Sequence, residues 1–125
     1  MHGACLFDRG EFFEAHEVWE ERWKVTTSAT ERAFLQGLIQ VAAAFHKLVV
    51  MKSEDAAGRL LAKGLAKLDA CPERVEERGL TAFCERLRES ANELAAGQLA
   101  RAAIPKIGVT ATSSRARSAR RAESD

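Results

Sequence analysis

The sequence has little of what β-sheets, membrane spans or polyanion binding require. Tyrosine is absent, and only two prolines occur in 125 residues. No apolar run reaches the roughly 18 residues that a membrane-spanning helix needs, so the sequence predicts no membrane association. Lysine and arginine total 19 against 18 aspartates and glutamates, and this net charge of +1 is too small for bulk affinity to nucleic acid.

Cysteine is scarce and irregularly placed. Cys5, Cys71 and Cys84 are odd in number, and no two of them form a C-x-x-C pair. This excludes a disulfide framework and a structural zinc site, and it predicts three reduced, buried apolar side chains. Residues 1–5 also lack the basic and apolar regions of a signal peptide. The sequence therefore predicts a cytoplasmic protein.

The dominant pattern is an apolar residue at every third or fourth position, which is typical of amphipathic helices. It predicts an all-α fold, in which residues 1–108 form a single helical domain. The domain is expected to be a compact bundle of four main helices with short connections. The predicted helices cover about residues 8–25, 28–52, 53–70 and 81–99, with one loose turn at 72–79.

Two acceptor side chains are predicted to begin helices. Asp8 with Glu11, and Ser28 with Glu31, have the spacing of a capping box, in which a side-chain oxygen accepts from a backbone N–H near the helix start. Ser53 is predicted to cap the third helix. The expected core stripes of the last two helices are Leu60, Leu61, Leu65 and Leu68, then Phe83, Leu87 and Leu94.

The composition changes near the C-terminus. Residues 104–107 form a short apolar segment, which is predicted to pack back on the bundle. Residues 109–125 are rich in arginine and serine, lack apolar periodicity and are predicted to be a disordered tail. The tail carries a net charge of +2, and the remainder carries −1. Both a solubilising end and a weak nucleic-acid arm are compatible with this charge.

The most informative residues lie on the first predicted helix. Phe12, His16, Trp19 and Trp23 are spaced by four, three and four residues, so they share the face expected to meet the core. Glu20 follows His16 by one turn. An imidazole and a carboxylate are therefore expected side by side in an aromatic setting, where each needs a polar partner.

The second predicted helix offers such partners. Gln36 and Gln40 are one turn apart, and Gly37 and Ala43 are small enough to let this helix approach the first one. A short turn usually joins antiparallel neighbours. The sequence thus predicts a cluster of His16, Glu20, Gln36 and Gln40, with His46 on the adjoining stripe as a weaker member.

A His and a Glu one turn apart can bind one divalent metal ion, the first through nitrogen and the second through oxygen. The pattern is not H-E-x-x-H, because its second histidine position is Glu20. It also lacks the paired Glu-x-x-His units of di-iron bundles, since positions 13 and 43 are Phe and Ala. Two ligands from one helix need completion by other residues, water, a substrate or a second chain.

The stretch also resembles a known family. The similarity rests on an H-x-x-x-E-x-x-W motif read as His16, Glu20 and Trp23, on the flanking residues from Phe7, and on residues 34–40. It resembles the bacterial and archaeal family numbered 309 among domains of unknown function, over about residues 6–70. The resemblance implies a small all-helical domain and metal binding by the motif, with no assigned reaction.

The leading hypothesis is a protein that binds a divalent metal ion or a small polar ligand at this cluster. His16 and Glu20 would be the metal ligands, and the residues around the ligand would be Trp19, Trp23, Gln36 and Gln40. Whether the chain is an enzyme stays open. If it catalyses a reaction, metal-assisted hydrolysis with Glu17 or Glu20 as base is the most economical one.

Other functions stay open at this level. The His16–Glu20 pair could be a satisfied structural pair, and the chain could be a helical interaction module that binds a protein partner or a second copy of itself. The exposed stripe expected from Glu14, Glu17 and Glu21 is typical of a solvated face, but it could contact a basic partner. A nucleic-acid accessory role through the tail is the third alternative.

Overall fold

The computed structural model describes residues 2–98 and 104–108, and it confirms an all-α fold. Within these ranges the chain forms six α-helices and no strand. The helices are α1 (His2–Asp8), α2 (Phe12–Val25), α3 (Ala29–Val49), α4 (Glu54–Asp69), α5 (Pro72–Glu77) and α6 (Thr81–Ala95). The four long helices correspond to the four predicted ones. None of the described helices is long and apolar enough to cross a membrane.

The N-terminal helix α1 was not predicted, and its presence corrects the role of Asp8. Asp8 ends α1 rather than beginning α2, and the N-cap residue of α2 is Glu11, which makes no side-chain cap hydrogen bond. Glu11 instead accepts from Arg9 Nε at 2.9 Å. The turn between the two helices passes through Gly10, whose φ of 83° favours glycine.

The start of α3 agrees with the capping prediction. Ser28 Oγ accepts a hydrogen bond from the backbone N–H of Glu31 at 3.2 Å. The helix ends at Val49, three residues earlier than predicted, and Lys52 in the following turn has a φ of 57°. Ser53 is the N-cap residue of α4 but makes no side-chain cap hydrogen bond.

Gly37 marks a close helix approach, but the neighbour is α4 and not the first predicted helix. A Cβ atom built on Gly37 would lie 3.1 Å from Gly64 O, and one built on Gly64 would lie 2.8 Å from Gly37 O. Two facing glycines therefore bring the backbones of α3 and α4 together. This crossing leaves α2 to pack on other residues of α3.

The second half of the chain packs α5 and α6 against this pair. Pro72 occupies the first turn of α5, where its missing N–H costs nothing, so the predicted loose turn is a six-residue helix. The predicted core residues of α6, and all those of α4 except the partly buried Leu60, are buried. Glu31 fixes α5 to α3 by accepting from Arg78 at 3.0 Å and pairing with Arg74 at 3.3 Å.

The centre of the core is aromatic and draws on four helices. Phe7 of α1 is 2% exposed, and its ring lies 5.0 to 6.2 Å, between centroids, from the rings of Phe12, Trp19, Phe45 and Phe83. Several of these contacts are edge-to-face, the geometry that aromatic pairs prefer. The unpredicted α1 therefore supplies the ring on which the other elements converge.

Residues 104–108 pack back on the bundle as predicted, with Pro105 and Ile107 buried. Asp8 holds the end of this segment, because its two carboxylate oxygens accept from Ile107 N at 2.6 Å and Gly108 N at 2.8 Å. Arg86 of α6 donates to the carbonyl of Lys106 at 2.9 Å. The predicted tail, residues 109–125, lies outside the described residues.

Candidate functional site

The face of α2 predicted to meet the core divides into a buried centre and a half-buried edge. Phe12 and Trp19 are 6% and 1% exposed, whereas His16 and Trp23 are only partly buried. The guanidinium carbon of Arg32 lies 3.9 Å from the centroid of the Trp23 ring. Arg32 also donates a hydrogen bond to Trp23 O. Trp23 thus packs at the α2–α3 junction.

His16 and Glu20 are neighbours but are not hydrogen-bonded. His16 Nε2 lies 4.0 Å from Glu20 Oε2, beyond the 2.7 to 3.2 Å range of an N–H···O bond. Their side chains are 25% and 44% exposed. The other ring nitrogen, His16 Nδ1, is buried and lacks a hydrogen-bond partner in the described part of the chain. The pair is therefore half-open and incompletely satisfied.

The two predicted glutamines contribute less than expected. Gln36 and Gln40 are half-buried on α3, and within residues 2–98 and 104–108 neither is hydrogen-bonded to His16 or Glu20. The side-chain oxygen of Gln40 is buried without a partner in these same ranges. Facing helices thus carry an unpartnered imidazole nitrogen and an unpartnered amide oxygen.

His46, expected to be a weaker member, lines the same cleft as His16. The exposed Phe13 stacks on the His16 ring at 5.8 Å between centroids and contacts the His46 ring at 5.4 Å. The three rings line one cleft of about 290 Å³, together with Ala43, Lys47 and Met51. We call it the histidine cleft.

Phe13 and Met51 were missed as site residues because each looks like an ordinary apolar residue in the sequence. Both are well exposed, at 47% and 55%. Phe12 packs on Phe45 and Phe13 on His46, so these ends of α2 and α3 lie side by side. Register along a helix pair depends on the turn and on packing, which spacing within one helix does not reveal.

The described residues provide two candidate metal ligands at this site, His16 and Glu20. Among residues 2–98 and 104–108, no group of three or more His, Cys, Asp or Glu side chains is placed to hold a metal ion. Tetrahedral and octahedral centres need four to six donors. A metal centre made by these protein residues alone therefore does not fit.

The acidic stripe of α2 is exposed, as expected of a solvated face. Glu14, Glu17 and Glu21 all point to solvent, and Glu21 pairs with Lys24 at 3.6 Å. Neither Glu17 nor Glu21 lines the histidine cleft. Of the two carboxylates considered as a base, only Glu20 lies at ion-pair range of His16 in this part of the chain.

The cysteines are free thiols, and two of the three are buried as predicted. Cys71 and Cys84 are 7% and 3% exposed, but Cys5 is exposed on the short helix α1, contrary to the prediction. Burial raises the pKa of the Cys84 thiol, and nearby Asp69 raises it further, while Arg88 lowers it. Cys84 is thus kept as a neutral thiol.

Comparison with known proteins adds a family but no activity. A family model described as "Domain of unknown function (DUF309)" matches residues 1–60, which include α1, α2, α3 and the start of α4. No curated protein and no solved structure matches the chain. The matched residues contain every residue of the histidine cleft and the His16–Glu20 pair.

Proposed function

Since the chain belongs to the DUF309 family through residues 1–60, we propose that it binds a small polar ligand through His16 and Glu20. One observation carries the proposal. A half-exposed imidazole and carboxylate face each other at 4.0 Å without bonding, and the buried nitrogen of the imidazole has no partner among the described residues. An incoming polar group could bond the exposed sides of His16 and Glu20, which are not bonded to each other.

A divalent metal ion is one candidate for this ligand, with His16 nitrogen and Glu20 oxygen as its protein donors. Since the described residues supply no third His, Cys, Asp or Glu ligand, water, a bound molecule or a second chain would have to complete the coordination. A metal would add positive charge beside Glu20 and polarise a bound molecule. Trp19 and Trp23 support the helix that carries the pair.

The proposal is compatible with a cytoplasmic protein. The three free cysteines need no oxidising compartment, and Cys71 and Cys84 are packed as small apolar side chains. Neither a reaction nor a catalytic base is assigned to the site, because no described group besides His16 is paired with Glu20.

The experiment is a screen of melting temperature against Mg²⁺, Mn²⁺, Ni²⁺ and Zn²⁺ and against phosphate and citrate. We expect a stabilising shift in the native chain, about 2.7 kcal/mol at one hundred times the dissociation constant, and its loss in His16→Gln and Glu20→Gln. Because the pair is half-exposed, each substitution alone should change unliganded stability by less than about 1 kcal/mol.

Glu21→Gln is the matched control, because it removes one carboxylate from the adjacent, 78% exposed position. It should keep the ligand response. The proposal is contradicted if no probe shifts the native melting temperature and both His16→Gln and Glu20→Gln are strongly destabilised. That result would make the pair a structural element.

A protein-interaction module is the second candidate, favoured by the exposed apolar side chains near the cleft. Phe13, Val50 and Met51 are 47%, 62% and 55% exposed. Such rings and thioethers are common anchors at interfaces. Light scattering across a hundredfold concentration range tests the self-association arm, with Phe13→Ser expected to abolish any dimer that uses this face.

A further inference from the structure

We infer that the histidine cleft binds a small aromatic carboxylate. The inference goes beyond the His16–Glu20 proposal and rests on it only in that His16 belongs to both sites. It is carried by the chemistry of the six lining residues: three rings, one thioether, one methyl group and one ammonium group.

The walls of the cleft favour a flat apolar body. Phe13 contributes an aromatic face with 47% of the residue exposed, and the imidazoles of His16 and His46 lie at 5.8 and 5.4 Å from it. Met51 adds a flexible sulfur, which packs well against aromatic edges. Small Ala43, on α3, leaves room for an inserted ring.

The charge of the cleft favours an anion. Lys47 is the only lysine or arginine among the described lining residues, and no aspartate or glutamate belongs to this set. Both imidazoles can donate a hydrogen bond in their neutral form. A carboxylate could therefore accept from Lys47 and from an imidazole. Glu20 lies 4.0 Å from His16 Nε2 but is not among the lining residues.

The size of the cleft sets the size of the ligand. About 290 Å³ lies at the lower end of small-molecule sites, so a single ring with a short acidic arm fits better than a nucleotide or a peptide. Phenylacetate meets these requirements. Phenylacetamide keeps its shape without the charge, and acetate keeps the charge without the ring.

The test is a calorimetric titration of the full chain with phenylacetate, phenylacetamide and acetate. We expect phenylacetate to bind in the millimolar range that suits so small a ligand. Phenylacetamide and acetate should each bind about tenfold more weakly or worse, because the first lacks the charged hydrogen bond and the second lacks the ring.

Two substitutions place the binding in the cleft. Lys47→Met keeps the aliphatic stem and removes the charge, so it should weaken phenylacetate about tenfold and leave phenylacetamide unchanged. Ala43→Met should fill the cleft and weaken both ring-bearing ligands. Lys63→Met, at an exposed position of α4, is the control for general charge and should bind phenylacetate like the native chain.

The inference is overturned if phenylacetate and phenylacetamide bind equally, if Lys47→Met binds phenylacetate as tightly as Lys63→Met does, or if native protein shows no heat of binding. It can fail separately from the proposed function. A native chain that responds to metal or phosphate but not to phenylacetate contradicts this inference alone. A chain that binds phenylacetate and none of the other probes, and that His16→Gln and Glu20→Gln strongly destabilise, supports it and contradicts the proposed function.

Discussion

The three cysteine thiols lie in different surroundings, and these surroundings determine their chemistry. Cys5 is exposed on α1, whereas Cys71 and Cys84 are buried in the core. A thiol reacts as its thiolate, so burial that raises the pKa of Cys84 also suppresses its reactivity. Iodoacetamide should therefore modify Cys5 first and reach the other two only on unfolding.

The raised pKa of Cys84 also predicts how stability changes with pH. A thiol whose pKa is higher in the folded state than in the unfolded state contributes stability below the unfolded value, and this is lost as pH rises through the folded value. The free energy of unfolding of the native chain should fall as the pH rises above the ordinary pKa of a thiol, about 8.5. Urea titrations should give a shallower fall for Cys84→Ala, and Cys5→Ala should match the native chain. Parallel curves for all three would contradict the prediction.

Single residues also show why local patterns predict helix ends unequally. Ser28 caps α3 because the hydrogen bond to Glu31 N closes within three residues. Asp8 has the same spacing to Glu11, but its carboxylate accepts from Ile107 and Gly108, almost one hundred residues away in the chain. A pattern of neighbouring residues can predict the first hydrogen bond, but it carries no information about the second.

At the scale of elements, the packing of α3 is decided by where its small residues lie. Gly37 faces Gly64, and the built Cβ atoms would meet backbone oxygens at 3.1 and 2.8 Å. An inserted methyl group would push against backbone, which yields less readily than a side chain. The sequence predicts a close approach at Gly37 but cannot say which helix approaches, because α2 and α4 both flank it in the chain.

This crossing gives a matched pair of substitutions on one helix. Gly64→Ala should destabilise the chain by about 1 to 3 kcal/mol, because its Cβ overlaps α3. Gly58→Ala should stabilise it by up to about 1 kcal/mol, because its Cβ meets only Leu94, at 3.9 Å, and alanine favours helix. Denaturant unfolding of both variants checks the signs. Equal effects would show that α3 and α4 do not cross closely at Gly64.

The candidate site also depends on how α2 packs against α3. His16 and Glu20 are adjacent in any α2 helix, so the sequence predicts their pairing. His46 joins them only because α2 and α3 are antiparallel in one particular register, with Phe13 between the two imidazoles. The side-chain oxygen of Gln40 on α3 is buried and stays unbonded among the described residues.

At the scale of the whole molecule, the segment 104–108 joins the C-terminal part of the domain to its first turn. Ile107 is 7% exposed, and Asp8 accepts both backbone donors at its end. Lys106 Nζ also donates to Asp8 O at 3.1 Å. The segment therefore covers the α1–α2 turn and holds α1, the helix whose Phe7 occupies the aromatic centre of the core.

Shortening the chain tests whether the segment 104–108 stabilises the domain. A chain that ends at residue 108 keeps every described contact of the segment and should melt within about 2 °C of the full chain. A chain that ends at residue 98 loses the burial of Ile107, worth about 1.5 to 3 kcal/mol, and the Asp8 hydrogen bonds. Its melting temperature should fall by about 8 °C or more.

The substitution Asp8→Asn tests whether the two shortened chains differ in stability because of the contact between Asp8 and residues 107 and 108. In the chain ending at residue 108, the substitution should cost about 1.5 to 3 kcal/mol, because it replaces charge-assisted acceptors of Ile107 and Gly108 N–H. In the chain ending at residue 98, those donors are gone, so the same substitution should cost much less. Equal costs in both chains would show that Asp8 acts within α1 alone. The reason is that groups in contact change the free energy of unfolding non-additively, whereas independent groups change it additively.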